Sequence, residues 1–169
     1  MDTLEAREMA VQLISQHLDD KWTFKFDNAK NRFGVCRFSR KEIGLSAPLV
    51  ILNDETKVRN TILHEIAHAV AGPGHGHDSY WASKCRELGI KPERCYDSKE
   101  VAVVKGAYEG TCPSCGLTAQ RHRRTDKMFR VACSACCKQF NKGEWSEDFK
   151  FQWTHNGRPI VQGRLGFNW

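Results

Sequence analysis

The sequence predicts an α+β chain: helices with a short antiparallel sheet in a larger domain, followed by a small four-cysteine module and a β-hairpin tail. Apolar residues recur at helical spacing in Leu4–Leu18 and again between Glu55 and Ala71. Between these two stretches, short segments alternate apolar and polar residues as half-buried strands do. Five of the eight cysteines then crowd between Cys112 and Cys137. A chain of 169 residues can bury one core with a small satellite, so the expected division is 1–104, 105–142 and 143–169.

Leu4, Met9, Val11, Leu13, Ile14 and Leu18, with acidic residues early, predict an N-terminal amphipathic helix. Its His17 has no partner at metal spacing and reads as a surface residue. Trp22–Asp27 and Val35–Ser39 alternate around the polar stretch Asn28–Arg32, which predicts a β-hairpin, and Ile43–Ser46 supplies a third short strand. Cys36 stands alone and reads as a packed core thiol. Pro48–Asn53 leads into a helix over Glu55–Ala71, with N-cap candidates in Asn53–Thr56 and an abrupt stop at Gly72-Pro73-Gly74. Ser79–Gly89 reads as a further helix capped by Asp78 or Ser79, in which Cys85 is structural, as is Cys95 after it.

The helix over Glu55–Ala71 contains His64-Glu65-Ile66-Ala67-His68. An α-helix turns once in 3.6 residues, so histidines four apart project from one face, a turn above one another. That arrangement suits two imidazoles on one zinc, which at catalytic sites takes three protein ligands and leaves a position for water. Glu65 beside the first histidine is placed to act as general base toward that water. Two histidines compete for the third position, His75 and His77. A histidine ten residues after His64 would occupy position 74, which is Gly74. His77 directly precedes the helix of Trp81, whereas His75 is flanked by glycines.

Cys112-Pro113-Ser114-Cys115 and Cys133-Ser134-Ala135-Cys136 are two CxxC knuckles separated by 17 residues. Such knuckles turn four thiolates toward one tetrahedral structural zinc, as in a zinc ribbon that needs its metal to fold. Cys137 competes with Cys136 for the fourth place, and His122 is not needed as a ligand.

Charge is unevenly divided. Residues 1–104 carry 15 Lys+Arg and 15 Asp+Glu, whereas residues 105–169 carry 11 and 5, so the whole formal charge of +6 lies in the C-terminal third. A basic module beside a neutral one points to a polyanionic partner, with Arg121, Arg123, Arg124, Lys127 and Arg130 as candidate phosphate contacts. The tail alternates around Asn156-Gly157, a hairpin signal. Trp145, Trp153 and Trp169 are read as its small core rather than as base-stacking residues. The longest apolar run, Ala47–Leu52, contains Pro48 and is far too short for a bilayer, and Met1–Glu5 lacks a signal-peptide pattern. The expectation is a soluble cytoplasmic or nucleoid-associated protein with no membrane partner.

Taken together, Trp22–Asp27, Gly34-Val35-Cys36, Ile43–Ser46, Thr61–His68, the element His77-x-x-x-Trp81 and the following CxxC pair resemble the SprT-like metalloprotease family, over roughly residues 4–137. That family includes the Spartan proteases, which cleave proteins crosslinked to DNA. The resemblance implies a small zincin-like metalloprotease domain, with His64, His68 and His77 as ligands of a catalytic zinc and Glu65 as catalytic residue. With the ribbon, the expectation is two zinc ions, one catalytic and one structural, a protein substrate, and DNA, including single-stranded DNA, as partner. Two other readings stay open: a non-catalytic zinc-containing nucleic-acid-binding or assembly protein, and a zinc peptidase without DNA dependence. Tyr80, Tyr96 and Tyr108 are nominal candidates for stabilising an oxyanion.

Overall fold

The computed structural model describes residues 1–93 and 102–162. The chain divides into two compact units, Met1–Val104 and Lys105–Trp169.

The first unit opens with helix α1 (Thr3–His17). Asp2 caps it, accepting from the Leu4 N–H at 2.6 Å, while the Glu5 side chain accepts from the Asp2 N–H in a capping box. The buried face is made by Ala6, Ala10, Leu13 and Ile14, whereas Leu4 and Val11 are 63% and 52% exposed. The buried stripe keeps Leu13 and Ile14 of the large apolar residues, with Met9 and Leu18 packed beside it, and is completed by Ala6 and Ala10 rather than by Leu4 and Val11. Alanines carry little periodic signal, yet they let a neighbouring helix approach closely.

Three strands follow, β1 (Thr23–Asp27), β2 (Gly34–Arg37) and β3 (Glu42–Ser46), in the order β1-β3-β2. β3 runs parallel to β1 and antiparallel to β2. The expected hairpin between β1 and β2 does not form, and the sheet is mixed rather than antiparallel. The reason lies in burial: Ile43, Gly44, Leu45 and Ser46 are all buried, so β3 takes the centre. The connection between β1 and β2 is arched rather than tight, because Asp27 at the end of β1 pairs with both Arg32 and Arg37. The Phe33 carbonyl then accepts from the Ser46 N–H at 2.8 Å.

Ser46 caps the short helix α2 (Ala47–Leu52), accepting from the Leu49 N–H at 3.2 Å. Helix α3 (Glu55–Ala71) starts at Asp54, whose side chain accepts from the Lys57 N–H at 2.9 Å. It stops at Gly72, whose φ of 90° is open to glycine and strained for other residues; the Gly72 N–H donates to the His68 carbonyl at 2.9 Å. Val58, Ile62, Leu63, Ile66 and Ala67 of α3 are buried against α1, β2, β3 and α4 (Ser79–Glu87). Cys85 of α4 is fully buried, and burial pushes its thiol up to about 11. Cys95 lies outside the described residues.

In the second unit β4 (Tyr108–Thr111), β5 (Thr118–Arg121), β6 (Gln152–His155) and β7 (Arg158–Ile160) form an antiparallel sheet in the order β5-β4-β6-β7. β6 and β7 turn through Asn156 and Gly157, both at positive φ. Because β6 pairs with β4, this sheet joins residues on both sides of position 142. Its core is small: Met128, Phe129, Phe151 and Trp153 pack with Cys112, Cys133 and Cys136. Helix α5 (Ser134–Phe140) begins directly after Cys133. Trp153 is buried and donates from Nε1 to the Met128 carbonyl at 2.9 Å; Trp145 is 55% exposed and donates to the Arg130 carbonyl. Trp169 lies outside the described residues. No helix among the described residues is long and apolar enough to cross a membrane.

Candidate metal centres

Two turns of α3 carry His64 and His68, and the loop after it returns His77 to the same point. Nε2 of His77 lies 3.2 Å from Nε2 of His64 and 3.2 Å from Nε2 of His68. Ligand nitrogens on a tetrahedral zinc with bonds of 2.0 to 2.1 Å are separated by about 3.3 Å, so the three rings fit such an ion. His75 does not join this cluster. Its Nδ1 lies 2.7 Å from Asp78 Oδ2, and its ring rests on Tyr80 with centroids 4.7 Å apart. The His75 carbonyl does contribute, by accepting a hydrogen bond from His68.

Burial, and then the neighbouring His68 and His77, push the pKa of His64 down to about 3. Burial and His77 lower His68 as well. Imidazoles that stay neutral at physiological pH are ready to coordinate without first losing a proton.

Glu65 points from the adjacent position of α3 toward β2. It is 8% exposed, and burial pushes its carboxyl up to about 7, against the opposing pull of the Arg32 charge and of the Cys36 N–H that donates to it. Cys36 is half-buried against the first core; burial, and then the Glu65 charge, push its thiol up to about 12. β2 lies close over the carboxylate. A Cβ on Gly34 would stand 2.6 Å from Glu65 Oε1 and 2.8 Å from Thr61 Cγ2, which only glycine avoids.

In the second unit the four sulfurs of Cys112, Cys115, Cys133 and Cys136 converge, whereas Cys137, also buried, does not join them. Cys112 and Cys136 Sγ are 3.8 Å apart, and Cys115 and Cys133 Sγ 3.7 Å. Sulfurs on a tetrahedral zinc at about 2.3 Å are separated by about 3.8 Å, so this cluster also fits. The first knuckle is closed by the Gly116 N–H on the Cys112 carbonyl at 3.0 Å. Burial opposes ionisation of Cys112, but the backbone N–H groups of Cys115 and Ser114 donate to its sulfur and lower its pKa. The second knuckle is the start of α5, so Cys133 and Cys136 lie on one turn of helix rather than on a returning strand.

The model of the SprT-like family matches residues 5–100, which hold all of the first unit's site. The chain belongs to the SprT-like family. Protein SprT of Pseudomonas putida is 31% identical over 113 residues, covering 61% of this chain and 69% of that protein. Protein SprT of Pseudomonas savastanoi pv. phaseolicola is 30% identical over 131 residues, covering 69% and 80%. Among solved structures, the metallopeptidase zymogen jannalysin of Methanocaldococcus jannaschii aligns with a TM-score of 0.43 at 19% identity, over 56% of this chain and 85% of that one.

Beyond the two ligand clusters of this SprT-like chain, Arg121, Arg123, Lys127 and Arg130 are exposed, on the end of β5 and on the loop and 3-10 turn that follow. Arg124 is engaged within its own unit, stacked over Phe129 at 5.4 Å and donating to the Val161 carbonyl at 3.1 Å. Tyr108 is in the second unit, stacked on His155; Tyr80 is 46% exposed; Tyr96 lies outside the described residues. The Cys36 N–H, the His75 carbonyl and the close approach of Gly34, a residue noted in the sequence without a role, are what motif reading missed. Two of these act through backbone atoms, which leave no mark on side-chain identity. Gly34 did leave one, a glycine at the start of a strand.

Proposed function

We propose that the protein is a zinc-dependent endopeptidase acting on DNA-associated or DNA-crosslinked proteins. The observation that carries the peptidase reading is the convergence of three imidazoles beside a buried carboxylate, in a chain of the SprT-like family. His64, His68 and His77 would hold the catalytic zinc, leaving one side open for substrate. When bound, zinc supplies Lewis-acid polarisation of a carbonyl and a water of lowered pKa. Glu65 then receives the proton of the attacking water and passes it to the amine nitrogen of the leaving peptide. Its pKa near 7, set by burial, suits a group that must accept and release a proton at neutral pH. The Cys36 N–H holds the carboxylate toward β2 and the approach of Gly34 limits its rotamers.

The four cysteines would hold a second, structural zinc in a ribbon-like module, since all four positions around such an ion are protein sulfurs. The DNA reading is supported by the concentration of the chain's net charge in residues 105–169 and by the exposure of Arg121, Arg123, Lys127 and Arg130. The test is cleavage of a protein crosslinked to single-stranded DNA, beside the same protein free of DNA, by the wild type and by Glu65→Gln. The proposal expects cleavage of the crosslinked substrate by the wild type alone. Cleavage by Glu65→Gln with its zinc retained rules out the mechanism, and equal cleavage of both substrates rules out the DNA dependence.

A further inference from the structure

Trp81 of α4 touches every histidine of the triad. Its indole stacks on His68 with centroids 5.2 Å apart and planes at 24°. It meets His64 edge-on at 4.9 Å and His77 edge-on at 4.6 Å. The indole is 1% exposed, and its Nε1 finds no hydrogen-bond partner among the described residues. An indole buried this way carries a desolvation cost that phenylalanine or leucine would avoid, so apolar filling alone is a poor account of the residue. The same residue is tied to the third ligand through the main chain. The Trp81 N–H donates to Asp78 Oδ1 at 2.9 Å, and Asp78 Oδ2 meets His75 Nδ1 at 2.7 Å, so the turn that delivers His77 and the helix that delivers the indole are locked together.

We propose that Trp81 is a positioning residue of the metal centre: its ring is the platform that sets the planes of all three imidazoles and holds them converged. Each imidazole has two soft torsions of its own. A stacked contact on one ring and edge contacts on two restrict those torsions together, so that the nitrogens point at one spot before any ion arrives. The electron-rich indole face also attracts imidazoles that gain positive character on coordination. The inference rests on the reading of the triad as a metal site.

The experiment uses the full chain, whose four-cysteine cluster serves as an internal control. Zinc affinity is measured by chelator competition, and the cobalt-loaded protein is compared by visible absorption, for the wild type, Trp81→Phe and Trp81→Leu. Folding is checked by the melting of each metal-free protein. The expected result is a zinc affinity of the histidine site weakened about tenfold in Trp81→Phe and about a hundredfold in Trp81→Leu. The cobalt band of the histidine site should shift, while the thiolate-to-cobalt band stays unchanged. A folded Trp81→Leu with wild-type affinity and spectrum overturns the inference. Should that variant fail to fold, Trp81→Phe decides alone, and wild-type affinity and spectrum there overturn it. If the wild type itself loads only the cysteine site, the metal reading of the triad fails, an outcome distinct from a triad that binds zinc equally well without the indole.

Discussion

Gly34 stands so close to Glu65 that a single added methyl group at position 34 would fall 2.6 Å from Oε1 and 2.7 Å from Cγ of the carboxylate side chain. Strand β2 and helix α3 therefore meet at the Glu65 carboxylate. Gly34→Ala must displace either the strand or the glutamate, at a cost of about 1 to 3 kcal/mol as for other overpacked sites. The expected outcome is a turnover number reduced tenfold or more, with zinc content unchanged because neither helix histidine is moved. Wild-type turnover in a folded Gly34→Ala would show that the carboxylate does not need this seat.

Burial of Glu65 also predicts a stability effect of the opposite sign. Its folded-state pKa of about 7 lies above the ordinary 4.5, so its contribution to stability is full below 4.5 and is lost as pH rises through about 7. Glu65→Gln removes the ionisable group while its amide oxygen still accepts from the Cys36 N–H. In metal-free protein the glutamine variant should melt above the wild type at pH 8, by up to about 3 kcal/mol, and the gap should close as pH falls to 4.5. Thermal melts in the presence of chelator at pH 4.5, 6 and 8 check both sign and window.

How far the sequence foretold this site depends on whether the cause was local. The limits of α3 were legible because a cap, Asp54, and a stop, Gly72, act within a turn of the helix they bound. The spacing of His64 and His68 follows from the helical period alone. The choice between His75 and His77 was not legible in spacing, because it depends on the path of a loop with Gly72 and Gly74 at positive φ. Strand order failed for a related reason. Alternation tells which residues form a strand, but the pairing of β1 with β3 is decided by burial of β3 on both faces, a property of the assembled core. Likewise, half of the face of α1 that packs, Leu13 and Ile14, was legible, and the other half was hidden by alanines at positions 6 and 10.

The cap of α4 offers a graded test of the loop. Asp78 accepts from the Trp81 N–H through one oxygen and meets His75 with the other. Asp78→Ala should cost about 1 kcal/mol of stability, the usual loss for an N-cap. Asp78→Asn should recover most of it, because an amide oxygen still caps the helix. Chemical denaturation of the three proteins reports this directly, and equal midpoints for all three would remove Asp78 from the account of the loop.

Metal removal should act on the two units differently. Among the described residues, the second unit buries Met128, Phe129, Phe151 and Trp153 with its cysteines and packs five partly buried side chains against them, a small apolar core to hold four short strands unaided. Chelation, or Cys133→Ser, should abolish the cooperative melting of this unit. The first unit, with a core running from Ala6 to Ile90, should keep its helical circular dichroism. Zinc analysis should fall from two ions to one in Cys133→Ser and likewise in His77→Ala. Persistence of a cooperative transition for the second unit in zinc-free Cys133→Ser would contradict a structural role for that ion.

The basic residues of the second unit separate by what each already touches. Arg123, Lys127 and Arg130 are exposed, whereas Arg124 is stacked on Phe129 and bonded to the Val161 carbonyl. If the exposed three contact phosphates, replacing each by glutamine should weaken binding to single-stranded DNA. Each replacement should also lower the slope of log affinity against log salt by about 0.7, the share of one phosphate on a single strand. Arg124→Gln should behave otherwise, lowering the melting temperature of the unit through lost packing on Phe129 while leaving the salt slope almost unchanged. Fluorescence anisotropy across a salt series, with melting curves of the same proteins, distinguishes the two classes. An unchanged slope in the triple variant Arg123→Gln, Lys127→Gln, Arg130→Gln would mean that these cations serve solubility, and that any nucleic acid is held elsewhere on the chain.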